Sequence, residues 1–214
     1  EHKKFQDEMN VYSKNFIKEN PDAFLSVLLL ENFLMRQYLT PEEVKTYFAG
    51  LDKKVTETKS GKKIKTALDA MFAIVIGKPA PDFSAPSPEG KTISLKESLG
   101  KVTIIDFWAS WCGPCRAENP NVVALYNEFH AQGLNIIGVS LDKDAAKWKE
   151  AIAKDGLTWA HVSNLKFWED PIAKQYNVQS IPATFILDAK GIIVAKDLRG
   201  DELKAKVKEL LGVK

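Results

Sequence analysis

The sequence predicts an α/β protein: an α-helical N-terminal region, residues 1–76, precedes residues 77–214, which form a mostly parallel sheet with helices on both faces. Two observations predict it. Helix signals dominate before Gly77, whereas after it short β-rich runs alternate with amphipathic helical stretches. The two patterns meet at Gly77-Lys78-Pro79-Ala80-Pro81.

The first region reads as four helices, near residues 3–19, 21–38, 41–50 and 62–75. Asn20-Pro21 and Thr40-Pro41-Glu42-Glu43 each offer an N-cap followed by proline at the first helical position, and the second forms a capping box. Ala23 to Met35 is the most apolar stretch of the chain. Ser26 and Glu31-Asn32 interrupt it, so it is expected as a buried helix and not as a membrane span.

In the second region the β-rich runs are Val102 to Ala109, Asn135 to Leu141, Ala183 to Leu187 and Ile192 to Ala195. The first is apolar almost throughout, as a central strand buried on both sides should be. A helix follows it to about Gln132, with Gly133 as C-cap. Asp188-Ala189-Lys190-Gly191 joins the last two strands as a hairpin turn. Trp148, Trp159, Phe167 and Trp168 lie between Asp142 and Asn177; large apolar side chains there are expected mainly in the core, with one at the edge of a groove.

Composition narrows the function. The chain has 214 residues, 45% of them hydrophobic, enough for a full core, and 30 basic against 28 acidic residues give no concentrated basic surface for nucleic acid. Glu1 to Asn10 lack the apolar core of a signal peptide, and a chain trimmed of its leader would look the same.

Only two cysteines occur, Cys112 and Cys115. A bridge closing so short a loop stabilises a protein by roughly 2 kcal/mol, a minor staple at this size. Reactivity explains the pair better. Asp106-Phe107-Trp108-Ala109-Ser110-Trp111-Cys112-Gly113-Pro114-Cys115 runs from a buried strand into a helix. Cys112 then sits at the helix N-terminus, where unpaired N–H groups and the dipole stabilise a thiolate and lower its pKa from about 8.5 to as little as ~3.5. Cys112 is the expected nucleophile. Cys115, one turn on and expected to be more buried, is the resolving thiol, and Pro114 restrains the loop without removing a needed N–H. Structural zinc is disfavoured, because it takes four N/S ligands and His2, His130 and His161 are isolated in the sequence. A Cu(I) chaperone is an alternative of another class, since copper(I) favours thiolates, but no nearby Met or His motif offers a third ligand.

Trp111 to Cys115, a preceding strand and the downstream Ile181-Pro182-Ala183-Thr184-Phe185 together resemble the thioredoxin superfamily. Gly77-Lys78-Pro79-Ala80-Pro81-Asp82-Phe83 and Cys115-Arg116-Ala117-Glu118-Asn119-Pro120 are similar to its TlpA/ResA-like branch of extracytoplasmic thiol-disulfide oxidoreductases, over about residues 78–214. The resemblance implies a thioredoxin-like fold, a central mixed sheet flanked by helices. It implies a cis peptide before Pro182, facing the cysteines, with the backbone at Ile181 and Pro182 receiving a partner chain alongside Trp111, Gly113 and Pro114. It implies no cofactor beyond the Cys112–Cys115 disulfide and no metal. Partners would be disulfide-bearing proteins and an upstream thiol electron donor, which can be membrane-anchored, outside the cytoplasm.

Two carboxylates compete for proton transfer. Asp106 matches the buried acid of thioredoxins, and burial should raise its pKa; Glu118 matches the glutamate of the ResA-like branch. Glu118 could equally be a solvated surface charge. Arg116 is expected as a solvated charge, Trp108 as core, and Pro120 as the site of a kink. A peroxiredoxin-like peroxide reductase is the alternative enzyme, suggested by the Gly77 to Lys101 opening. Its motif would need Pro at Ile105 and Thr or Ser at Ala109. Residues 1–76 are expected as a packing brace or an interaction module.

Overall fold

A computed structural model describes residues 2–213, which divide into two compact units between Phe72 and Ala73. The first consists of α1 (His2–Glu19), α2 (Phe24–Met35), α3 (Pro41–Ala49), α4 (Lys53–Thr56) and α5 (Lys59–Ala73). The capping box forms as expected: Glu43 N–H donates to Thr40 Oγ1 at 3.2 Å and Thr40 N–H to Glu43 Oε2 at 2.8 Å. Asn20 does not cap α2, which begins only at Phe24. Its carbonyl instead accepts from Ser26 Oγ at 2.6 Å and its side chain donates back to Phe16 O, so Pro21 and Asp22 form a turn. Asp52 caps the short α4, an element absent from the expectation.

Val27, Leu30 and Phe33 of α2 meet Ile17, Val44, Val55 and Ile64 in a core belonging to this unit. The rest of α2 departs from the expected buried helix: Phe24, Leu25, Leu28 and Met35 are exposed. The α2 sequence is apolar nearly all round, and a bundle of this size covers one side of it. No helix among the described residues is long and apolar enough to cross a membrane.

The second unit is a five-stranded mixed sheet in the order β5-β4-β3-β6-β7, flanked by helices, with a separate antiparallel pair β1 (Ser84–Pro86) and β2 (Thr92–Ser94). The central β3 (Val102–Trp108) is buried at every residue, runs parallel to β4 (Leu134–Ser140) and antiparallel to β6 (Ala183–Asp188). β5 (Ala160–Val162) and β7 (Ile193–Lys196) are the edges. The β6–β7 turn closes as expected, with Asp188 Oδ1 accepting from the N–H groups of Lys190 and Ile192 and Gly191 at φ 75°.

Helix α6 (Gly113–Phe129) leaves β3 by a short loop and runs on through Pro120; a 3-10 turn and left-handed Gly133, φ 113°, end it. α7 (Ala145–Asp155), α8 (Pro171–Gln175) and α9 (Gly200–Leu211) complete the unit. Alternation along β3 turns Asp106 and Trp108 to one face and Phe107 to the other. Phe107 packs on Tyr176 and Phe185 at 5.5 and 5.8 Å between ring centres. Asp106 faces α6 and α9, sharing a cavity with Cys115 and Leu203.

Candidate active site

The carboxyl end of β3 feeds Ala109-Ser110-Trp111 into α6 and places Cys112 as the N-cap. Its Sγ accepts the Cys115 N–H at 3.2 Å, one of the donors that the first helical turn leaves unpaired. The two cysteines form a disulfide, with Cα atoms 5.3 Å apart. Both are buried, at 4% and 2% exposure, so the expected contrast in burial between them is slight in this oxidised state. Gly113 and Pro114 lie exposed on the first turn of α6.

Opposite them, the Ile181–Pro182 peptide bond is cis and Ile181 O lies 3.8 Å from Cys112 Sγ. Arg199 donates to Pro182 O at 2.8 Å. The turn carrying Arg199 is fastened to β6, where Asp197 N–H donates to Thr184 O and Thr184 Oγ1 donates to Leu198 O.

Beneath the disulfide, Asp106, Cys115, Glu118, Pro182 and Arg199 all line one cavity of about 10 Å³, at the lower limit for a single water. Burial pushes the Asp106 carboxyl up to about 7; the negative charge of Glu118 adds to the rise and Arg199 opposes it. Such a group is half protonated near neutrality and can both take and return a proton. Glu118 is not freely solvated. Its Oε1 accepts the Gly200 N–H at 2.9 Å, at the start of α9, and its Oε2 accepts from Asn121 at 3.1 Å.

Arg116 corrects its expectation as a solvated charge. Its guanidinium grips Asp155 through Nε and through Nη2 at 2.6 Å, and Nη1 donates to Ser110 O at 3.1 Å. Asn119, buried in α6, donates to the same Asp155 at 2.6 Å. This fork ties the start of α6 to the end of α7 and to the cysteine loop.

Asp142 is a site residue that the sequence reading missed. It is buried at the end of β4, and it accepts from Ser110 N–H at 2.9 Å, Ser110 Oγ at 2.6 Å and Ser140 Oγ at 2.8 Å. The available signal was a carboxylate following directly on a buried strand, where an ionisable group is rarely left without a task. Of the aromatics, Trp108, Trp148 and Trp159 are core as expected. Phe167 and Trp168 pack against the exposed Trp111, at 5.0 and 6.2 Å between ring centres, and Trp168 is half-buried against the same core as well.

His161 is buried against Trp108 and Trp159, and burial drives its pKa down to about 3. It is neutral at working pH. Among the described residues no three His, Cys, Asp or Glu side chains gather as a metal site.

Residues 76–196, more than half of the chain, match the model of the AhpC/TSA family. A thiol-disulfide oxidoreductase ResA of Bacillus thuringiensis is 33% identical over 136 residues, 64% of this chain and 76% of that protein. The C-terminal domain of a thiol-disulfide oxidoreductase from Bacteroides thetaiotaomicron superposes with a TM-score of 0.61 at 35% identity, over 65% of this chain and 97% of that one. The thioredoxin domain of a Bacteroides vulgatus thiol-disulfide oxidoreductase gives 0.60 at 34% identity, over 64% and 98%. A Cys-Gly-Pro-Cys disulfide on a helix N-terminus, a thioredoxin-like sheet beneath it and these likenesses agree: the chain belongs to the AhpC/TSA family, as a thioredoxin-like thiol-disulfide oxidoreductase.

Proposed function

We propose that the protein works as a reductase of disulfides in partner polypeptides, with Cys112 as nucleophile, Cys115 as resolving thiol and Asp106 as the proton-transfer group. In the dithiol form the Cys112 thiolate attacks one sulfur of the partner's disulfide. A mixed disulfide forms, and the partner's other sulfur leaves as a thiolate and takes up a proton. Cys115 then passes its proton to Asp106 and attacks Cys112 Sγ. The Cys112–Cys115 bond forms and the second partner thiolate leaves, receiving a proton in turn. Two electrons have moved from the protein to the partner. An external dithiol donor restores the starting state.

The observation that carries this reading is the cavity shared by Asp106 and Cys115, with a carboxyl brought to about 7 beside the resolving thiol. Glu118 and Arg199 act on that carboxyl from opposite sides by charge, so we assign them positioning roles. The backbone at Ile181 and Pro182, beside the disulfide and flanked by Trp111, Gly113 and Pro114, is the assigned partner-binding edge. Residues 77–214 are assigned as the oxidoreductase domain and residues 1–76 as a separate helical region. The TlpA/ResA-like resemblance supports an extracytoplasmic setting and a donor that can be membrane-anchored.

The test is a redox equilibration with glutathione together with a turnover assay on a disulfide-linked peptide. A potential near the ~−270 mV of thioredoxin and stoichiometric release of two peptide thiols are expected. A potential near the ~−120 mV of strong oxidants would overturn the reducing direction.

A further inference from the structure

Beside the disulfide lies an apolar surface that exchange chemistry alone does not require. Trp111 is 46% exposed, Phe167 and Trp168 pack on it, and those two are 6.0 Å apart, so three rings form one cluster next to Cys112. The loop that supplies Phe167 is held in an unfavourable backbone form. Leu165 and Phe167 have φ of 55° and 54°, a region that side chains with a Cβ avoid, yet both turn large apolar groups to solvent at 36% and 37% exposure. Non-glycine residues keep such conformations only where their surroundings over-determine them, and they cluster at ligand-binding sites.

Here the surroundings are a chain of buried and part-buried hydrogen bonds. Asp170 accepts from Asn164 Nδ2 at 3.0 Å and from its N–H at 3.3 Å. Ser163 Oγ accepts from Leu165 N–H at 3.1 Å and donates to Ser140 O at 2.8 Å. Ser140 Oγ in turn donates to Asp142, which holds Ser110 beside Trp111. One network therefore fixes the aromatic loop and the cysteine loop in a common frame. At its margin the Lys143 ammonium lies 5.7 Å from the Phe167 ring centre, and Lys143 makes no ion pair among the described residues.

We propose that Trp111, Phe167 and Trp168, with Lys143 at the edge, dock substrate polypeptide in which a bulky apolar residue and an acidic residue stand next to the half-cystine. The rings match the apolar side chain, the unpaired ammonium matches the carboxylate, and adjacency to Cys112 confines both to the immediate neighbours of the reacting sulfur. This deepens the proposed disulfide reduction and rests on it.

The test compares kcat/KM of the reduced protein, residues 1–214, on disulfide-linked peptides that carry Phe-Glu, Phe-Lys or Gly-Gly beside the half-cystine. Half-burial of a phenyl ring and one ion pair lead to a preference of roughly tenfold for Phe-Glu over Gly-Gly. Phe167→Ser is expected to bring that ratio toward one. Lys143→Glu is expected to reverse the preference between Phe-Glu and Phe-Lys, an outcome that a poorly folded variant cannot mimic. Equal wild-type rates on all three peptides, or ratios unmoved by both substitutions, would overturn the docking surface while leaving disulfide reduction intact. No reduction of any peptide would remove the functional reading and the docking proposal together.

Discussion

Asp106 and His161 occupy one row across the sheet, with Gly138 between them in register, and burial moves their pKa values in opposite directions. A Cβ on Gly138 would come within 2.3 Å of His161 Nδ1, so that position must lack a side chain for the imidazole to fit. The signs of their effects on stability follow from proton binding. Asp106, raised to about 7, holds its proton in the folded state where the unfolded chain has lost it, so its contribution falls as pH rises from ~4 to ~7. His161, lowered to about 3, stays neutral where the unfolded chain is charged, so its contribution falls as pH drops from ~6.5 to ~3. Each spans about three units, on the order of 4 kcal/mol, and between pH 4 and 6.5 they oppose one another. In the Asp106→Asn protein, denaturant unfolding should therefore show stability rising with pH across that window and a protein more stable than wild type at pH 8. Parallel pH curves for the two proteins would contradict the buried, raised carboxyl. At this scale the sequence made Asp106 legible, because an acid stands out in an apolar strand. It hid Arg199, which is brought to the Asp106 cavity by a turn fastened to Thr184 and a contact to Pro182, with no local pattern to mark it.

The cysteine loop is held between elements, and Asp142 at the end of β4 is its anchor. Asp142→Ala would leave the buried Ser140 hydroxyl and Ser110 without their acceptor, at a cost of roughly 3 kcal/mol. Thermal unfolding should register that loss, and alkylation of reduced Cys112 should speed up as the loop loosens. An unchanged alkylation rate together with an unchanged melting temperature would deny Asp142 this part. The elements that the sequence made legible are long and strongly patterned: β3, β4, β6, the hairpin to β7, and α6 with its glycine end. β1, β2 and β5 have three residues each, too few to establish a period; β1 and β2 pair only with each other, and β5 forms by pairing with the distant β4. The start of α2 was misplaced for a different reason. Asn20 has the chemistry of a cap, but its backbone carbonyl found a better use accepting from Ser26.

Across the whole molecule, two cores are built from separate stretches of chain, one around Leu30 and Ile64, the other around the β3–β4–β6 sheet. The assignment of residues 1–76 as a region apart from the chemistry makes a prediction. Leu30→Ala, which empties a fully buried position of the first core, should lower the stability of that unit by about 2–5 kcal/mol and leave the reduction rate of a small disulfide within about twofold at 25 °C. A parallel collapse of activity would show that the helical unit takes part in the chemistry. The α/β class and the helical start were legible because periodicity changes once, near Gly77. The exposed side of α2 was not, because an apolar sequence states a preference for burial without stating whether neighbours suffice to provide it.

The central claim is that Asp106 moves the proton for Cys115, and its most direct test is the rate of the second step alone. A mixed disulfide is prepared on Cys112 of the intact protein, and release of the bound peptide by Cys115 is followed from pH 5 to 10. The account predicts a wild-type rate that titrates near 7 and a rate in Asp106→Asn that is slowed at least tenfold at pH 7, with its titration moved toward that of an ordinary thiol. A wild-type rate already titrating near 8.5, and unchanged by Asp106→Asn, would contradict it.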